Sequence, residues 1–135
     1  MTTFDFNDGN GPVPAHQHVN GGGWVADTAT VADSAYVGPN ARVYGNAWVF
    51  GTAWVFDNAE VFDNAKVYGT AWVCGNAKVF GNAAVCDIAN VFGYALVCDN
   101  AKVYGKAKVF GYACVSGNAE VSGDACVSGD AKVTE

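Results

Sequence analysis

The sequence predicts an all-β protein built as one three-sided parallel solenoid, with 18 residues per coil and about six coils. Three observations predict it. Valine occupies every sixth position from Val25 to Val133, 19 times without a gap. Alanine stands two residues before each valine after the first, from Ala29 to Ala131. The corner residues sort into distinct columns only when they are read 18 apart. Repetition at a fixed short period marks stacked units, each of which buries its apolar face only against its neighbours.

The chain divides at the start of this repeat, into a leader over 1–23 and a solenoid over 24–135. The leader does not repeat, and its Asn10-Gly11-Pro12 and Gly21-Gly22-Gly23 segments are loop chemistry. Phe4, Phe6 and Val13 are its apolar residues, suited to fold over the first coil as the cap that a solenoid edge needs. His16-Gln17-His18 would place both imidazoles on one side of an extended segment. That pair is a candidate for metal, although two ligands fall short of the usual three or four. Three copies meeting in a trimer would complete such a site; otherwise the pair is simply solvated.

Within the solenoid each hexad reads Ala-x-Val, then Phe, Tyr, Cys or Ser, then Gly or Asp, then Asn or Thr, as in Ala47-Trp48-Val49-Phe50-Gly51-Thr52. Alanine and valine are two apart, so in a strand they face the same way. Valine is β-branched and fits a pleated core, while alanine suits the narrow interior beside a corner. Gly and Asn tolerate the left-handed backbone of a sharp bend. Each hexad is therefore one short strand and one turn.

Column chemistry decides between 12 and 18 residues per coil. At 18, Asn46, Asn64, Asn82, Asn100 and Asn118 share a column, and Glu60 falls between Arg42 and Lys78. At 12, Lys66 would lie on Lys78 and Asp87 on Asp99, which like-charge repulsion disfavours.

The hexad resembles the repeat of hexapeptide left-handed parallel β-helices, an aliphatic residue followed four positions later by a small one, as Val49 with Ala53 and Val67 with Ala71. It is similar to YdcK-like single-stranded β-helices and to the GNA-x-V-YGNA-x-V proteins that bacteriophages and prophages encode. In that group a Gly-Gly-Trp-Val segment opens the solenoid, and Gly22-Gly23-Trp24-Val25 stands at that place here. The resemblance covers about four fifths of the chain. It implies left-handed winding, where the general rule for parallel crossovers favours the right hand. It implies no shared activity. Hexapeptide acyltransferases and γ-class carbonic anhydrases share the fold and use histidines beside a coil. Here no histidine follows residue 18 and no loop breaks the repeat, so the expectation is not an enzyme, with no cofactor.

Function is read mainly from the outward slots. The slot after valine carries Tyr44, Phe50, Phe56, Phe62, Tyr68, Phe80, Phe92, Tyr104 and Phe110. Aromatic ladders there stabilise neighbouring coils, and a contiguous apolar band on the outside predicts lateral self-association as a dimer or trimer. The last strands, left unpaired, would also allow end-to-end stacking. Tyr36, Trp54 and Trp72 form a second column, the candidate site if the protein instead binds a small molecule, a nucleotide or a glycan. The asparagine column is read as a row of corner residues hydrogen-bonded up the stack, with a polar binding strip as the alternative.

Composition narrows the rest. Seven basic residues against 13 acidic ones leave a net charge of −6, which argues against a nucleic-acid partner. No apolar run approaches the ~20 residues of a membrane span. The N-terminus lacks the basic start and apolar stretch of a secretory signal, so the expectation is a cytoplasmic protein, or a virion-associated one if a phage encodes it. No two of the five cysteines are ladder neighbours, which predicts free thiols.

Overall fold

A computed structural model describes residues 2–134 of the chain. Its elements are all strands: β1 (Thr3–Asp5), β2 (Pro12–Gln17), β3 (Trp24–Ala26), and then two-residue strands every six residues, from β4 (Thr30–Val31) and β5 (Tyr36–Val37) to β19 (Glu120–Val121), β20 (Cys126–Val127) and β21 (Lys132–Val133). Each short strand is one outward residue and its valine. Successive strands of one face pair in parallel 18 residues apart, as Val25 with Val43 and Val43 with Val61. Three faces result. The first runs from β3 to β21, the second from β4 to β19 and the third from β5 to β20. The three-sided solenoid of about six coils is as the columns predicted.

Alternation explains the core. Valines 37 to 115 and alanines 47 to 119 of the repeat are fully buried in one continuous cluster. Among the described residues no polar side chain enters it.

From Gly45 onward each corner takes a left-handed residue, supplied by Gly or Asp, whereas Asp27, Asp33 and Pro39 of the first coil keep out of that region. Gly45 has φ 66° and Asp63, directly above it, φ 60°. A Cβ on Gly45 would meet the Asp63 backbone nitrogen at 2.9 Å, so close approach as well as φ calls for glycine there. Ladder bonds at these corners run through the backbone, as from Asn46 N–H to the Asp63 carbonyl at 2.8 Å. Among the described residues no side chain of the asparagine column shares in them.

The leader folds as a hairpin that adds β2 and β1, both antiparallel, to the lower edge of the first face. Phe6 stacks on Tyr44 at 4.7 Å and Phe4 on Trp24 at 4.7 Å, with the Arg42 guanidinium 5.2 Å from the Phe4 ring centre. The loop after β2 covers the edge of the third face: Gly23 N–H donates to the Val37 carbonyl and Val37 N–H to Asn20. The second face begins at β4, with no strand below it among the described residues.

Candidate functional site

Coil spacing sets the geometry of every aromatic column. Rings on stacked strands have centroids 4.8 to 5.0 Å apart and planes within 4° in Tyr44–Phe62, Phe62–Phe80, Phe50–Tyr68 and Phe92–Phe110. Two rings at that distance cannot lie side by side, so each covers its neighbour's face and turns its edge outward. Phe6 extends the first of these ladders downward by one ring.

This changes the reading of the slot after valine. These rings lie outside the valine core, but Phe50, Phe56, Phe62, Tyr68, Phe80, Phe92, Tyr104 and Phe110 are only half-exposed, and Tyr44 is buried beneath Phe6. Alternation gave their side of the strand correctly; stacking and the adjacent turns cover much of their surface. Burial, then the hydrogen bond to Glu60, pushes the Tyr44 phenol above its ordinary pKa. That bond, Tyr44 Oη donating to Glu60 Oε1 at 2.7 Å, recurs as Tyr104 to Glu120 at 3.0 Å, both 16 residues apart. The Tyr68 phenol is also raised, chiefly by its hydrogen bond with Cys86.

The large apolar side chains that remain exposed are others: Val19, Trp48, Trp54, Trp72, Ile88, Tyr94 and Tyr112. Trp54 and Trp72 stack at 5.6 Å with 15° between planes, and Tyr36 lies below Trp54 at 4.9 Å. Phe56 meets both indoles edge-on, at 6.0 and 5.5 Å. Tyr36, Trp54 and Trp72 are thus brought together on the third face as the sequence columns require. Tyr94 and Tyr112 stack at 5.1 Å at the corner beside it. The corner columns already contained that pair, and read as turn residues they gave no signal of function.

His16 and His18 do not act as a pair. His16 Nδ1 lies 2.7 Å from Asp27 Oδ1, and both side chains are half exposed. His18 is buried, with Nε2 2.8 Å from the Ala35 carbonyl, to which only a protonated nitrogen can donate. The expected one-sided arrangement is lost because β2 ends at Gln17 and the chain turns inward at His18. Among the described residues no three His, Cys, Asp or Glu side chains are grouped to hold a metal ion. Beside His16, the Thr28 hydroxyl donates to the Gly45 carbonyl. A cleft of about 330 Å³ between leader and coil is floored by Phe6, Val13 and Tyr44. Its two carboxylates, Asp8 and Asp27, are already engaged by Asn10 and His16.

All five cysteines are free. Burial pushes the Cys74 thiol up to about 11. It does the same to Cys98, where Asp99 and a hydrogen bond with Cys114 add to it. No described helix is long and apolar enough to cross a membrane. Comparison with protein-family models, with curated proteins and with solved structures finds no match for this chain.

Proposed function

We propose that this chain is a non-catalytic structural solenoid that presents a rigid surface and associates with copies of itself. One observation carries the reading: two indoles, two phenols and an isoleucine stand 43 % to 66 % exposed on a scaffold whose backbone is fixed by ladders on three sides. Rigid aromatic side chains lose little entropy on association and are favoured at contact surfaces. Both imidazoles of the chain are committed to structural bonds, which supports a non-catalytic role. Sugar binding on Trp54 and Trp72 draws less support, because Trp54 lies between Tyr36 and Trp72, and Trp72 between Trp54 and the strand of Asn90, whereas a sugar needs an open ring face.

We further propose left-handed winding and kinship with the hexapeptide-repeat proteins of phages and prophages, residing in the host cytoplasm or on the virion. The Gly22-Gly23-Trp24-Val25 opening and the unbroken hexad support this. Genes flanking the coding sequence test the kinship. Sedimentation equilibrium from micromolar to millimolar concentration tests self-association. Mass above one chain, rising with concentration, is expected, and a single-chain mass throughout would overturn it.

A further inference from the structure

The exposed apolar side chains are not spread evenly over the prism. Trp54 and Trp72 stand on strands of the third face, Ile88 at the corner that leads into it, and Tyr94 and Tyr112 at the corner that leaves it. Among the described residues only Trp48 and Val19 of the exposed set lie elsewhere. The strand columns differ in charge as well. The first face carries Arg42, Glu60, Lys78 and Lys132, and the second Lys66, Lys102 and Glu120. The third face reads Tyr36, Trp54, Trp72, Asn90, Lys108, Cys126, with one charge in six strands.

From this we infer that the third face is the surface on which two copies of the chain pair, antiparallel and about a two-fold axis between Trp72 and Asn90. The inference rests on the self-association reading above and adds to it the face and the direction. The order of the column sets the direction. Antiparallel pairing places Trp72 opposite Asn90 of the second copy and Trp54 opposite its Lys108, whose aliphatic stem can lie along the outward indole edge at each end of the contact. Side-by-side parallel pairing would instead set Lys108 against Lys108, where like charges repel, with Asp124 of the same copy standing at the corner that leads into the face. A two-fold contact needs such self-complementarity: what one end offers, the other must accept.

The size of the face is sufficient. Six strands at ~4.8 Å, each about five residues wide with its flanking corner at ~3.3 Å per residue, give roughly 500 Å² per copy. Two copies then bury about 1,000 Å², at the lower limit for a specific interface. The rings need no reordering, since neighbouring coils already hold them.

A charge-reversal pair tests both parts. Trp54→Lys should keep the secondary structure, lower the thermal midpoint through loss of the Tyr36 and Trp72 stacks, and weaken the dimer by at least about tenfold by facing the partner's Lys108. Trp54→Lys combined with Lys108→Glu should recover the dimer, read by sedimentation equilibrium, because position 54 then meets an opposite charge across the axis. Unchanged dimerisation of Trp54→Lys would overturn the choice of face while self-association stands. Loss without recovery in the double variant would overturn the antiparallel direction. A monomeric wild type at every concentration would overturn this inference together with the reading beneath it.

Discussion

Aspartate at the corners shows how one residue answers to the coil above it. Asp57, Asp63, Asp87 and Asp99 hold φ between 58° and 60°, a region that side chains with a Cβ enter at a cost. Each places a carboxylate oxygen 2.9 to 3.2 Å from the backbone nitrogen of the residue 18 positions on, and that residue is always glycine: 75, 81, 105 and 117. The charged acceptor offsets the strained backbone. Replacing Asp63 by Ala keeps the strain and removes the acceptor, so the urea midpoint should fall by the equivalent of roughly 1–2 kcal/mol. Asp63→Gly, which removes both, should lose less; an Ala variant as stable as the wild type would refute this account. Thiols give a second residue-scale prediction. With pKa pushed up to about 11, Cys74 and Cys98 hold little thiolate near neutral pH. Exposed Cys126 should therefore react first with a thiol reagent at pH 8. The two slow sites should accelerate about tenfold per pH unit until the pH nears 11.

At the scale of elements the repeat was legible and the leader only partly so. A two-residue strand such as Trp48–Val49 has almost no local signal, yet its place was readable because Val31 below and Val67 above repeat it. The leader has no such echo. Phe4, Phe6 and Val13 were identifiable as cap residues, but the antiparallel hairpin, the Phe6–Tyr44 stack and the burial of His18 depend on a long-range docking angle that no periodicity encodes. The candidate surface divided in the same way. The Tyr36, Trp54 and Trp72 column followed from spacing alone, whereas the partial cover over Phe62 or Phe80 comes from neighbouring coils and is invisible to strand alternation. Phe6 is the residue that fastens the hairpin, at 2 % exposure. Phe6→Ala should cost about 3–4 kcal/mol locally and open the Tyr44 ring to solvent. Hydrogen exchange would register this as faster exchange over residues 3 to 17 with the central coils unchanged. Equal acceleration along the whole chain would show that the cap and the solenoid unfold as one unit.

For the whole molecule the question is whether stability follows individual bonds or position in the stack. Phe80 N–H donates to the Val97 carbonyl at 2.9 Å and Ser116 N–H to the Val133 carbonyl at 2.8 Å, so bond length does not separate them. Their surroundings do. Around Phe80 the core is closed above and below, with Ala77, Val79 and Ala95 fully buried. The acceptor of Ser116 belongs to the last described coil, where Ala125 and Ala131 are exposed, Val127 and Val133 are half-buried, and the N–H groups of Glu120 and Ser122 have no acceptor among the described residues. Each coil contacts only its neighbours, so in a chain of residues 1–135 a coil with one neighbour loses about half the burial that opposes opening. Ser116 should exchange its amide proton roughly a hundredfold faster than Phe80, a difference of about 2–3 kcal/mol in opening free energy. The protection profile should rise from the final coil to the middle and remain high toward the first coil, which the hairpin covers. A flat profile would mean that opening is global, and that the ladder bonds report the stability of the whole rod rather than of their own coil.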